Sequence, residues 1–175
     1  MKKVLLHICC ASCATVCVAR LKKEGFGVYG LFYNPNIHPL QEHKKRAEDI
    51  KILSKKNRFK VLGSKYNPQD WFEFVKGYEN ENEGGRRCSL CFEFRLKQTY
   101  NVMLKYKFQF FTTTLTISPH KDTNVINEIG RSLSQDAFLE KDFKKQDGFK
   151  ESVVISKTLG FHRQNYCGCI YSKRH

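Results

Sequence analysis

Acidic residues are scarce in this 175-residue chain: 17 Asp+Glu stand against 31 Lys+Arg, a formal net charge of +14. That imbalance points to a polyanionic partner, nucleic acid or an anionic membrane face, although a solvated lysine-rich surface produces the same number. No charged tail carries it, because Lys and Arg run from Lys2 to Arg174. Long hydrophobic runs are missing too. The stretch Val4 to Ala19 is interrupted by His7, Ser12, Thr15 and four cysteines, and a bilayer span needs about 20 apolar residues. Behind Lys2 and Lys3 the same stretch imitates a secretory leader, yet it ends in Arg20, Lys22 and Lys23 without a small-residue cleavage site. A cytoplasmic protein with no membrane partner is expected. Repeats, low-complexity segments and linkers are absent, so residues 1–175 are read as one domain, long enough to bury about 70% of its unfolded surface.

What is present supports a packed core: a hydrophobic fraction of 41% and 14 phenylalanines argue against disorder. Val4 to Ile8 suits a buried strand, Ala11 to Lys23 has helical spacing closed by Gly25, and Gly27 to Asn34 reads as a second strand stopped by Pro35. Leu40 to Asn57 is a basic amphipathic helix with Ala47, Ile50 and Leu53 or Ser54 inward and Lys44, Lys45, Arg46 and Lys51 outward. Phe59 to Leu62 makes a third strand, Pro68 to Gly77 a short helix after Asn67, Ser89 to Lys105 a long helix, and Phe108 to Leu115 a fourth strand. Helices near Lys121 to Ser134 and Glu151 to Leu159 complete the pattern. Strands interleaved with helices predict an α/β fold: an open, mostly parallel sheet with helices on both faces, Rossmann-like or HUP-like. Ligands bind beyond the carboxyl ends of such strands. Cys9 and Cys10 therefore share a rim with Thr112 to Lys121.

Eight cysteines are bunched as Cys9, Cys10, Cys13 and Cys17, then Cys88 and Cys91, then Cys167 and Cys169. Short spacings of this kind suggest metal or redox chemistry more than a secreted disulfide framework. Cys88 and Cys91 open a helix whose first-turn amides favour thiolate, and three-residue spacing lets both sulfurs reach one metal or cluster. Cys9 and Cys10 reach one object only if the backbone turns at the strand exit. Two from each group make four thiolates, the count of a [4Fe-4S] cluster and equally of a four-cysteine zinc site. Cys13 and Cys17 share a helix face with Cys10; Cys13 suits a second mononuclear metal, iron or zinc, or an exposed thiol, and Cys17 suits core packing. Cys167-Gly168-Cys169 reads as a labile dithiol or as further metal ligands.

The segments Leu5 to Cys13 (LLHICCASC), Arg87 to Leu96 (RCSLCFEFRL), Thr112 to Lys121 (TTTLTISPHK), Asp142 to Lys145 (DFKK) and Arg163 to Ser172 (RQNYCGCIYS) together resemble the QueH-type, cobalamin-independent epoxyqueuosine reductases almost from end to end. Where Pro is common in that family's CCAPC loop, Ser12 stands here. The resemblance implies an oxidoreductase of tRNA modification, a single catalytic domain over residues 1–175. It would remove the epoxide oxygen of epoxyqueuosine in an anticodon loop, the last step to queuosine, fed by an electron donor. It further implies a [4Fe-4S] cluster on Cys9, Cys10, Cys88 and Cys91, and a redox-active disulfide at Cys167 and Cys169.

Restoring an alkene from an epoxide takes two electrons, two protons and loss of water, which thiols and a cluster can supply if a positioned acid delivers protons. His7, His120 and Asp122 are candidate acids, and Thr112 to Thr114 and Ser118 candidate hydroxyl or phosphate contacts. The basic helix with Arg86, Arg87, Lys144, Lys145 and Arg163 is the candidate tRNA surface, and Tyr33, Phe92, Tyr166 and Tyr171 are candidates to stack on an extruded base. A zinc-binding RNA-binding module without catalysis is the alternative. ATP chemistry is disfavoured, since cysteines fill the place of a Gly/Ser-rich phosphate loop after the first strand, and a general thiol oxidoreductase leaves six cysteines without a role.

Overall fold

A computed structural model describes residues 1–172, and Arg174, the last of the spread charges, lies outside the described residues. Strands β1 (Lys3–His7), β2 (Gly27–Phe32), β3 (Lys60–Gly63) and β4 (Phe110–Thr113) form a parallel sheet in the order β3-β2-β1-β4. Helices α1 (Ala11–Lys23), α2 (Leu40–Lys56), α3 (Pro68–Phe74) and α4 (Arg86–Lys105) run between the strands. After β4 come a 3-10 turn (Thr114–Ile117), α5 (Thr123–Leu133), α6 (Gly148–Thr158) and a second 3-10 turn (Ile170–Ser172). This is the expected open parallel α/β sheet. Among the described residues no helix is long and apolar enough to cross a membrane.

Alternation along β1 builds both layers. Val4, Leu6 and Ile8 pack with Val18 and Leu21 of α1 and Ile50 and Leu53 of α2, while Leu5 turns to the other face with Phe92 and Leu96 of α4 and Ile126 of α5. Each such fully buried side chain contributes roughly 1.5–3 kcal/mol. Beyond β4, the amide of Phe111 donates to the Ala137 carbonyl and that of Leu139 to the Phe111 carbonyl, both at 2.9 Å, which covers the free strand edge. Gly130 of α5 makes room there, since a Cβ would stand 2.3 Å from the Phe138 ring.

Two boundaries and one side-chain orientation differ from expectation. Helix α4 starts at Arg86 rather than Ser89, because the Glu81 carboxylate accepts the Arg87 amide at 3.0 Å and so caps an earlier turn. Strand β4 stops at Thr113, whose Oγ1 accepts the Leu115 amide at 3.1 Å and bends the chain into the 3-10 turn. In α2 the buried positions are Arg46, Ile50 and Leu53. Arg46, expected to point outward, is only 2% exposed.

Candidate metal and redox centre

At the exit of β1 the backbone leaves the strand as the sequence requires for two adjacent cysteines to converge. Asn34 Nδ2 donates to the Ile8 carbonyl at 2.8 Å, and Cys10, the extended N-cap of α1, accepts the Cys13 amide on its Sγ. The Sγ atoms of Cys9 and Cys10 are 4.0 Å apart, and those of Cys9, Cys10 and Cys13 lie within 4.8 Å of one another. Cys13 therefore stands with the pair. Thr114 Oγ1 donates to Cys9 Sγ at 3.2 Å, and Gln164 Nε2 donates to Cys10 Sγ at 3.2 Å. Hydrogen bonds from Cys10 and Cys13 hold the Cys9 thiol well below the ordinary range, helped by the Lys121 ammonium and Thr114. The same bonds, with burial, hold Cys13 above it.

The first two turns of α4 present Cys88 and Cys91 to a cavity of about 980 Å³ whose wall also includes Cys9, Cys13, Cys167 and Cys169. Gly84 donates its amide to Cys88 Sγ at 3.2 Å; burial nevertheless raises that thiol. All eight cysteines are free. In the C-terminal pair, the hydrogen bond from Cys169 and the Lys121 charge bring Cys167 down to about 5, while the bond to Cys167 and burial push Cys169 up. Such a thiolate beside a protonated thiol is prepared for disulfide chemistry. Gly168 between them has φ +105°. Cys17 is fully buried in the α1 layer, as packing requires.

Soft thiol donors from two chain segments, with N–H and O–H groups aimed at their sulfurs, fit an iron–sulfur cluster, whose potential such bonds tune. The wall is also built for a polar ligand. Asn36 Oδ1, Trp71 Nε1, Arg87 Nε and Nη2, and Gln164 Oε1 are buried without a protein partner among the described residues, and all four residues line this cavity. Sequence reasoning placed Arg87 on the tRNA surface and missed the other three, although Gln164 lies inside a quoted motif and Trp71 is the one tryptophan.

The candidate acids separate. His7 is fully buried, its Nδ1 2.9 Å from Thr113 Oγ1 and its Nε2 3.1 Å from the Tyr33 carbonyl; burial and the Arg95 charge lower it to about 4. It is a neutral core histidine outside the cavity wall. His120 and Asp122 line the cavity beside Ser118, and Asp122 Oδ1 caps α5 by accepting the Asn124 amide at 2.8 Å. Thr112, Thr113 and Thr114 spend their hydroxyls on Leu139, His7 and Cys9. Of the candidate aromatics, Phe92 and Tyr166 line the cavity, Tyr33 stacks on Phe94, and Tyr171 lies over Arg87 and Trp71.

The candidate tRNA surface needs correction. Arg87 is 1% exposed and donates to the carbonyls of Tyr78, Glu79 and Glu81. Arg46 is likewise inside. Lys144 is tied to Thr116 and Thr123. Lys44, Lys45, Lys51, Arg86, Lys145 and Arg163 are exposed.

Against known proteins, residues 4–175 match the family model described as epoxyqueuosine reductase QueH. Curated relatives of that name include those of Streptococcus pyogenes, 36% identical over 98% of this chain and 70% of the relative, and Haemophilus influenzae, 37% identical over 98% and 72%. The Thermotoga maritima relative is 35% identical over 98% of this chain and 91% of its own length. A solved structure, the U34-tRNA thiolase NcsA of Methanococcus maripaludis with its [4Fe-4S] cluster, superposes with TM-score 0.61 at 14% identity. That match covers 99% of this chain but 62% of the thiolase, and at such identity it speaks for the fold alone.

Proposed function

The chain belongs to the epoxyqueuosine reductase QueH family, and from that premise we propose that it reduces epoxyqueuosine in tRNA to queuosine. The observation that carries the reading is the gathering of Cys9, Cys13, Cys88, Cys91, Cys167 and Cys169, from three distant segments, on one cavity, with Cys10 beside Cys9 and Cys13. We assign Cys9, Cys10, Cys88 and Cys91 to a [4Fe-4S] cluster, which would supply one-electron transfer and Lewis acidity when bound. Cys13, which stands with Cys9 and Cys10, is the thiol available to a second mononuclear metal, iron or zinc. Residues 1–175 act as one catalytic domain in the cytoplasm, where tRNA is met.

The chain's own residues do the rest. Cys167 and Cys169 form the dithiol: loss of two electrons and two protons closes their S–S bond, while the epoxide loses its oxygen as water and becomes an alkene. An external electron donor then restores the dithiol. His120, exposed on the cavity rim, is the candidate to deliver a proton; Asp122 has one carboxylate oxygen committed to the cap of α5. Lys121 holds negative charge at both Cys9 and Cys167.

Anaerobically purified protein should be brown with about four irons per chain and should convert epoxyqueuosine-containing tRNA; a colourless zinc protein would overturn the assignment and favour a non-catalytic RNA-binding module. Cys88→Ala should lose cluster and activity together, whereas Cys167→Ala and Cys13→Ala should keep the cluster. Cluster loss in Cys167→Ala refutes the division between ligands and dithiol.

A further inference from the structure

The geometry points to Arg46 as the positioning residue of the redox loop: its guanidinium holds two successive carbonyls, those of Tyr166 and Cys167, and so keeps Cys167 and Cys169 in their dithiol arrangement. The inference rests on the reading of these two cysteines as a redox pair. Arg46 sits in α2, far away in sequence. Its Nη1 donates to the Cys167 carbonyl and its Nη2 to the Tyr166 carbonyl, each at 3.2 Å, and Nε is held on Glu42 Oε1 at 2.8 Å. Glu42 is in turn met by His162 Nε2 at 2.9 Å, and the His162 amide donates to Asp49 Oδ2 at 2.7 Å. Helix α2 thus grips the loop at its start and at its reactive end.

The next carbonyl is occupied as well. Gly168 accepts the His38 amide at 2.8 Å, and the Tyr166 hydroxyl donates to the His38 carbonyl. Three consecutive carbonyls, at 166, 167 and 168, therefore accept bonds from outside the loop while the cysteines are unbonded. Forming an S–S bond across a single glycine turns the peptide units on either side of that glycine, and the bonds to their carbonyls must be remade. A contact that fits one redox state better than the other shifts the equilibrium between them by its differential free energy. Only a planar fork fills this place: a lysine ammonium has three donors on one atom and does not span two carbonyls and a carboxylate. A buried guanidinium whose sole task was to neutralise Glu42 would not need to reach the loop.

The test uses the full, metal-loaded chain equilibrated anaerobically with reduced and oxidised glutathione, with the Cys167/Cys169 state read by mass after thiol trapping. Arg46→Lys should raise the disulfide-to-dithiol ratio at fixed poise roughly tenfold, the effect of losing a charge-assisted hydrogen bond; tenfold corresponds to about 30 mV toward a more reducing pair. Iron content and circular dichroism should stay at wild-type levels. Glu42→Gln, which keeps the shape but loosens the guanidinium, should shift the ratio the same way by less. A ratio within twofold of wild type, or a shift toward dithiol, overturns the inference. Should Arg46→Lys not fold, Glu42→Gln decides by that criterion. If wild type makes no queuosine, the proposed function fails, while the glutathione ratios still judge the clamp separately.

Discussion

Gly168 should not tolerate even a methyl group, and the cost has two separable parts. At φ +105° an L-residue is in a sparsely populated region that costs about 1–3 kcal/mol. A Cβ there would also stand 2.7 Å from Ile37 Cγ1 and 3.2 Å from Ile37 Cα. Ile37 is itself buried, so its backbone does not yield, and overpacking of this kind adds about 1–3 kcal/mol. Lower chain entropy in the unfolded state returns about 0.4–1 kcal/mol. The net of about 1–6 kcal/mol falls on a loop held by a few hydrogen bonds, so the chain relieves it by lifting the loop rather than by unfolding throughout. Gly168→Ala should therefore keep its iron and most of its thermal stability, while Cys167 and Cys169 alkylate at least about tenfold faster. Gly25→Ala is the control, because Gly25 has φ +85° with no atom within 4 Å of a Cβ and so reports the backbone part alone. Wild-type alkylation rates in Gly168→Ala, with no more destabilisation than in Gly25→Ala, would refute the steric argument.

Two further outcomes follow from the charges. His43, packed between Phe32 and Tyr66, is lowered to about 4 by burial and by the Arg46 and His38 charges. The unfolded chain, near 6.5, binds the proton that the folded chain refuses, so stability should fall as pH drops from about 6.5 toward 4; urea unfolding of His43→Gln should show a shallower loss, and an unchanged slope would exclude His43 as its source. Reversing Lys44 and Lys45 to Glu should weaken tRNA binding and reduce the slope of log K against log salt by about 1.5–2, measured by filter binding. No change would leave that helix face merely solvated.

The parallel sheet was legible because β1 to β4 are short apolar or β-branched runs alternating with helical periods, and each expected strand is present within a few residues. Convergence of Cys9 with Cys10 followed from a turn at a strand exit, and the turn is there. Other features were beyond periodicity. The closeness of Cys13 to Cys10 was legible from their three-residue spacing on one helix face, but the extended N-cap at Cys10, whose Sγ accepts the Cys13 amide, was not. His7 looked like an acid from its place at a strand end, but the side-chain period of β1 sends it into the α4 layer, where burial removes its proton. The alignment of the C-terminal loop with α2 is a tertiary fact, carried by residues more than 100 positions apart.

Arginine and lysine divide the net charge in a way that a formal sum hides. Arg20 donates to the carbonyls of Phe143, Lys145 and Gln146, Arg46 to those of Tyr166 and Cys167, Arg87 to those of Tyr78, Glu79 and Glu81, and Arg95 to that of Cys91. Arg20, Arg46 and Arg87 each gather several loop carbonyls, work suited to a planar group with five fixed donors and light hydration, whereas Arg95 reaches back one turn within its own helix. Three of these arginines hold segments that carry site cysteines: Arg46 at Cys167, Arg87 at the loop before Cys88, and Arg95 at Cys91. Their charges are spent inside the fold. The outward positive charge belongs mainly to exposed lysines such as Lys44, Lys45 and Lys51, which keep their hydration and would meet a phosphate as mobile point charges. A surface built that way holds a polyanion without fixing its register. If the proposed function holds, recognition of the nucleoside falls to the cavity wall, where Asn36, Trp71, Arg87 and Gln164 have buried polar atoms without a partner among the described residues.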